Sequence, residues 1–221
     1  MNPSGQLWYT MCSPQSIPDP KSGEFITYEE AVKFHGHSCG GLSSGYRVAI
    51  AAMKALGVER PKDEELVAIA ETDACSVDAI QMITGCTAGK GNLIINDYGK
   101  HAFTFFCRRC NKAVRVVTNL DEVLPREEMD ALRPKVFSGQ ATEAEMTRFR
   151  ELSDQVPDII LHAPEEKILK ISFVDMEPPK KARIFKSIPC ESCGEMVADA
   201  KTRELNGKRV CIPCSLLAEN Q

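Results

Sequence analysis

The residues best suited to chemistry in this sequence are its cysteines and histidines, which fall into two groups. Near the C-terminus, Cys190-x2-Cys193-x17-Cys211-x2-Cys214 sets two C-x-x-C pairs at the separation of a four-thiolate zinc module. Asn206-Gly207 supplies a turn before the second pair, and Ser215–Ala218 a short helix after it. A segment this short has little apolar core, so the metal must stabilise it. The second group lies in Phe34-His35-Gly36-His37-Ser38-Cys39-Gly40-Gly41-Leu42-Ser43-Ser44-Gly45, which holds two of the four histidines and one of the ten cysteines. Imidazole and thiolate suit a borderline-soft metal such as zinc, and glycines let the backbone bend so that side chains two apart converge. The stretch reads as half of a metal site; the competing reading is a glycine-rich turn with incidental histidines.

The elements around that stretch have clear signals. Thr27 before Tyr28-Glu29-Glu30 is an N-cap with acids in the first turn, and Ala31, Val32 and Phe34 give a short helix that delivers the chain into His35. After the glycines, Tyr46, Val48, Ala49, Ile50, Ala52, Met53 and Leu56 recur at helical spacing, with Gly57 as C-cap. This second helix starts near Gly41, where its free N–H groups favour negative charge on Cys39. Glu65–Glu71 is a short apolar run bounded by acids, as in a buried strand, and it feeds into Cys75. Ser76 or Asp73 then caps a helix whose Ile80 and Ile83 face a core, leaving Cys75 to point toward a cleft.

Gly85-Cys86-Thr87-Ala88-Gly89-Lys90-Gly91 is not a phosphate loop. Three residues separate the first two glycines where four are required, and Gly91 stands where Ser or Thr should be. The segment reads instead as a tight loop whose Lys90 shapes the mouth of the site. Strands are expected at Leu93–Ile95, Ala102–Phe106 and Ala113–Thr118. Cys107-Arg108-Arg109-Cys110, in the turn between the last two, is half a zinc knuckle, a redox dithiol or two ordinary cysteines. Helices follow from Pro125 to about His162, one ended by Gly139 and one opened by Thr142 that Pro157 should interrupt or end. Glu166–Val174 returns as a strand, and Pro178-Pro179-Lys180-Lys181 marks a linker.

The expected organisation is an N-terminal arm at 1–24, a metal-binding core at 25–176, a linker at 177–187 and a four-cysteine finger at 188–221. A chain of 221 residues that is 43% hydrophobic and 26% charged is globular in composition. It has no apolar run of membrane-spanning length, and its proline-rich start does not resemble a secretory signal, so a cytoplasmic protein is expected. In a reducing compartment, ten cysteines point to metal or redox chemistry rather than structural disulfides. Residues 178–221 carry a net charge of +3 against −7 for the rest, too little to argue for nucleic acid.

The pairing of Phe34-His35-Gly36-His37-Ser38-Cys39-Gly40-Gly41-Leu42 with Cys75-x2-Asp78-Ala79-Ile80-Gln81-x2-Thr84-Gly85-Cys86-Thr87-x-Gly89-Lys90-Gly91-Asn92-Leu93 resembles the FmdE family, named for a component of formylmethanofuran dehydrogenase, over roughly residues 25–175. The resemblance implies an α+β fold: a mixed β-sheet core of thioredoxin-like type flanked by helices, followed by a treble-clef zinc finger. It also implies a core metal, zinc or another transition metal, drawing on His37, Cys39 and Cys75. Gly40 stands where the family often has proline, and Cys107 and Cys110 lie outside its motif.

Three functions follow as expectations. The first is a metal-binding protein accessory to anaerobic one-carbon or redox metabolism. Its core metal has an exchangeable position, His35, Asp78 and Lys90 assist around it, and a structural zinc sits on Cys190, Cys193, Cys211 and Cys214. The expected partners are a second copy of the chain and subunits of a molybdenum or tungsten dehydrogenase or another redox enzyme. The second is an interaction module in which the finger binds a protein, or less plausibly nucleic acid, on a core scaffold. The third is a thiol–disulfide couple, although the usual C-x-x-C at a helix start is absent from the histidine-rich stretch.

Overall fold

Thr27 opens the first helix with a full capping box: its side chain accepts the Glu30 amide at 3.2 Å, and the Glu30 carboxylate accepts the Thr27 amide at 2.8 Å. The computed structural model describes residues 26–219, so the expectation for an arm at 1–24 lies outside the described residues. Helix α1 runs Tyr28–His35 and ends at Gly36, whose φ of 100° turns the chain out of the helix. Helix α2 runs Gly40–Leu56, from Cys39 as N-cap to Gly57 as left-handed C-cap. The chain divides into two compact units, Met1–Lys181 and Ala182–Gln221, at a point inside the 177–187 segment.

In the first unit, β1 (Leu66–Ala70), α3 (Ser76–Thr84), β2 (Leu93–Ile95), β3 (Ala102–Cys107) and β4 (Lys112–Thr118) follow in order. Then come α4 (Arg126–Phe137), α5 (Glu143–His162), α6 (Glu165–Ile168) and β5 (Leu169–Val174). The five strands form one mixed sheet in the order β2-β1-β3-β4-β5. Only β1 and β2 pair in parallel, with Ala68 opposite Leu93, and the crossover between them is α3; the other pairs are antiparallel.

The period of two along the strands sends Leu66, Ala68 and Ala70 of β1, Phe103 and Phe105 of β3, and Val114 and Val116 of β4 to one face, all buried. Helices α2 and α3 cover that face; α5 packs on α2, and α4 on α5. Each fully buried Phe there contributes about 2–3 kcal/mol of transfer free energy. The fold is thus the mixed α+β arrangement expected.

Two local readings need correction. Pro157 does not end α5, which continues to His162. An internal proline removes one helical hydrogen bond and costs about 3 kcal/mol. Burial of Val156, Pro157 and Ile160 opposes that cost, and Arg47 of α2 donates to the carbonyls of Ile160, Leu161 and Ala163 at 2.7–2.9 Å, satisfying the end of the helix. The strand expected from Glu166 begins only at Leu169, because Glu165–Ile168 forms one helical turn first.

On the other face of the sheet, Arg115 of β4 holds Glu71 in a two-pronged ion pair, and its guanidinium keeps the Glu71 carboxyl below its ordinary value near 4.5. A depressed carboxylate stabilises the fold above the unfolded-state value, and the contribution disappears as pH falls through the folded one. Glu71→Gln is therefore expected to lower stability by about 2 kcal/mol at pH 7. The difference should shrink as urea midpoints are followed from pH 7 to pH 3; a gap that stays constant with pH would contradict the ion pair's role.

The second unit consists of two hairpins and a helix: β6 (Ser187–Pro189) with β7 (Met196–Ala198), β8 (Thr202–Leu205) with β9 (Lys208–Cys211), then α7 (Ile212–Glu219). Asn206 and Gly207, both at positive φ, make the β8–β9 turn, as their sequence predicts. No helix among the described residues is long and apolar enough to cross a membrane.

Candidate metal centre

Two helix starts meet at the C-terminal end of β1, and each carries a thiol. Cys39 is the N-cap of α2, its Sγ accepting the Leu42 amide at 3.4 Å. Cys75 is the N-cap of α3, taking the place expected for Ser76 or Asp73 and leaving the Ser76 hydroxyl buried without a partner among the described residues. Glycine lets these ends approach. A Cβ at Gly41 would sit 3.0 Å from the Cys75 Cβ, and one at Gly45 would meet the Ser76 carbonyl and lie 2.6 Å from the Ser76 Cα. Glycine inside a helix costs about 1 kcal/mol relative to alanine, so a pair of them four apart in α2 signals close packing that sequence reading passed over.

The third member is His35, on the last turn of α1. The ligand atoms of His35, Cys39 and Cys75 all lie within 4.8 Å of one another. His35 Nδ1 lies 2.7 Å from Asp78 Oδ2. Because the carboxylate only accepts, Nδ1 carries the proton, and Nε2, 3.9 Å from Cys39 Sγ, turns its lone pair toward the thiols. Gln81 Nε2 lies 3.5 Å from the other Asp78 oxygen, at the limit of a hydrogen bond. The Cys-x-x-Asp-x-x-Gln spacing thus puts a thiol, the carboxylate that orients the histidine and an amide beside that carboxylate on one helical face. Tyr28, whose hydroxyl lies 2.8 Å from both Ser38 Oγ and Ser43 Oγ, ties the intervening loop to α1 and α2.

Here the geometry departs from the expected ligand set. His37 is exposed and outside the cluster, its ring tilted against that of His35 with centroids 4.6 Å apart. His35 takes the inner position because it is the last residue of α1 and Asp78 receives it there, while Gly36 turns the chain outward. Asp78 stands beside the cluster, against His35. Lys90 does not: it lies past the far end of α3, where its charge acts on Glu65 and Cys86.

The two core thiols act on each other. Burial first, and then the charge of Cys39, pushes the Cys75 thiol up, against the pull of the helix start. Two thiolates and a neutral imidazole are a donor set that fits zinc, with three protein ligands and a fourth position left for an exchangeable group. Cys86 is buried at the other end of α3, pushed up to about 11 by burial, with its thiol on the Leu66 carbonyl at 3.4 Å. Cys107 is buried and accepts the Cys110 amide at 3.2 Å.

In the second unit, the sulfurs of Cys190, Cys193, Cys211 and Cys214 likewise lie within 4.8 Å of one another. Cys190 and Cys193 bracket the β6–β7 turn, Cys211 ends β9 and Cys214 lies in the first turn of α7. The amides of Cys193 and Cys211 hold the Cys190 thiol down to about 6. Cys193, against the pull of the Glu195 amide, is pushed up to about 12, chiefly by Cys190. Crowded thiols with opposed shifts are what a metal ion relieves by replacing protons.

The model of the family described as FmdE, molybdenum formylmethanofuran dehydrogenase operon, matches residues 34–170, more than half of the chain. The chain belongs to the FmdE family. A second model, the prokaryotic dksA/traR C4-type zinc finger, matches residues 183–215, so this FmdE protein carries a zinc-finger domain after its core. A crystal structure of a tungsten formylmethanofuran dehydrogenase FmdE-like protein from Syntrophus aciditrophicus shares the fold with a TM-score of 0.55. It is 26% identical and covers 86% of this chain and 92% of its own. A protein of Archaeoglobus fulgidus described as a probable S-adenosyl-L-methionine-binding protein is 31% identical over 215 residues, 94% of this chain. The chain spans 56% of the length of that relative. Core and finger together support metal binding.

Proposed function

We propose that this FmdE protein binds two metals: a structural zinc on Cys190, Cys193, Cys211 and Cys214, and a working zinc or other transition metal on His35, Cys39 and Cys75. The observation that carries the core assignment is the convergence of three ligand atoms from three elements within 4.8 Å, with the histidine tautomer already set by Asp78. When bound, the core metal supplies Lewis acidity at an open coordination position. The residues of the chain do the rest. Cys39 and Cys75 present thiolates from two helix starts. His35 presents Nε2, and Asp78 holds the proton on Nδ1 and keeps the ring in place. Exposed His37 is within reach of solvent to relay protons at the rim.

In this reading the protein is accessory to anaerobic one-carbon or redox metabolism in the cytoplasm. It acts as a homodimer, beside subunits of a molybdenum or tungsten dehydrogenase or another redox enzyme. The operon named in the family's description and the dehydrogenase named for the Syntrophus protein support the association with a dehydrogenase. The finger is a contact module as well as a metal site, and exposed Ile184, Met196 and Leu217 on its unit favour a protein partner over nucleic acid. Metal analysis of anaerobically purified protein is expected to give about two metals per chain, falling to about one in Cys39→Ser. A single metal that survives Cys39→Ser would sink the core assignment.

A further inference from the structure

Beside the cluster, at the same end of the sheet, the core unit contains a cavity of about 360 Å³, within the size range of small-molecule sites. Its walls have two characters. Leu120, Leu124, Met129, Val156 and Ile160 make an apolar side. The start of α2 lines the space too, with Gly40, Gly41 and Ser44, Gly40 packing against Val156 and Ile160. The first amides of a helix have no acceptor within it, so this wall presents N–H groups and the positive end of the helix dipole. A second observation also points to a ligand: Ser44 is only 5% exposed, lines the cavity and has no hydrogen-bond partner for its hydroxyl among the described residues. An acceptor entering the cavity would give that hydroxyl a partner.

Charge at the rim agrees. Arg126 is paired with Asp121 at 2.8 Å and Arg133 with Asp130 at 3.5 Å, so the acids are neutralised while each guanidinium keeps further donors in the lining. His101 adds an imidazole. The cavity therefore combines donors from the start of α2, Arg126 and Arg133 with apolar side chains such as Leu124 and Met129, and Gly41 stands against Cys75 one residue beyond Gly40, which follows Cys39.

We propose that this cavity binds a small carboxylate with a compact apolar body, its carboxylate on the Gly40 and Gly41 amides and the Ser44 hydroxyl and its body against Leu124 and Met129. The role of that ligand as the substrate presented to the core metal rests on the metal reading above; the binding itself does not. The class excludes bulky cofactors by volume and purely apolar compounds by the donors they would leave unmatched.

The test is a titration of the full-length, metal-loaded, ¹⁵N-labelled protein with hexanoate, and separately with hexanol, followed by amide NMR. Saturable shifts at Gly40, Gly41 and Ser44 are expected with hexanoate, and about tenfold weaker binding with hexanol. Ser44→Ala should weaken hexanoate about tenfold, and Met129→Trp, which fills the cavity, should abolish it, with urea midpoints confirming that both variants are folded. No shift at these amides up to about 20 mM hexanoate, or equal binding of hexanol, overturns the proposal. So does unaltered binding to a folded Met129→Trp protein. Repeating the titration on Cys39→Ser separates the two claims: hexanoate binding that persists without the core metal supports the cavity whatever the metal does, and a core metal retained without hexanoate binding removes only the cavity.

Discussion

Gly45→Ala is expected to force α2 and α3 apart and to weaken both the fold and the core metal site. The added Cβ would overlap the Ser76 carbonyl and lie 2.6 Å from the Ser76 Cα, and since these are backbone atoms no rotamer change relieves the contact. Overpacking of this kind costs about 1–3 kcal/mol. The metal effect is the more informative, because Ser76 is the residue after Cys75, and moving it moves one thiol away from Cys39 and His35. Displaced ligands should lower core metal affinity by about 10–100-fold, as for loss of a group that orients a ligand. Gly89→Ala is the control: a Cβ there meets nothing within 4 Å, so stability and metal affinity should both stay near wild type. Wild-type metal affinity in a folded Gly45→Ala protein would mean that close approach of the helices does not set the site.

Cys190→Ser is expected to unfold the finger while leaving the core unit intact. The buried apolar cluster of the second unit is Cys190, Val210 and Cys211, with Val197, Leu205 and Cys214 packed on it, so half of that cluster consists of the proposed zinc ligands. A unit with so small a core is held by its metal, and without one ligand the apo state wins. Amide dispersion of residues 187–211 should collapse in the variant and in wild type treated with a strong chelator, with the urea midpoint of the core unit unchanged. Binding displaces protons from thiols such as Cys193, whose value in the metal-free cluster is pushed up to about 12, so apparent zinc affinity should rise with pH. A folded finger in metal-free Cys190→Ser would contradict a structural role for zinc.

The elements were legible where local chemistry decides them. Thr27 and Glu30 announce α1, Gly57 closes α2, and the aromatic and β-branched runs Ala102–Phe106 and Ala113–Thr118 with a turn between them give the central hairpin. The two C-x-x-C pairs of the finger likewise need only sequence spacing. What sequence left unresolved depends on partners distant along the chain. The family resemblance pointed to His37 as the ligand, whereas Asp78, 43 residues from His35, and the phase at which α1 stops bring His35 to the cluster. Lys90 adjoins the Cys75 motif in sequence, but α3 separates them by its whole length. Pro157 ends a helix in isolation and not here, because Arg47 and the packing of α5 on α2 hold the turns beyond it. Gly41 and Gly45 carried a signal that was available, a four-residue glycine spacing inside a helix.

The central claim is that His35, Cys39 and Cys75 hold the core metal. It is tested most directly by metal content per folded chain in anaerobically purified wild type, His35→Ala, His37→Ala and Cys39→Ser. The expected result is about two metals in wild type and His37→Ala and about one in His35→Ala and Cys39→Ser, the remaining metal being removed by Cys190→Ser. Loss of the core metal in His37→Ala with retention in His35→Ala would contradict the geometry described for the site.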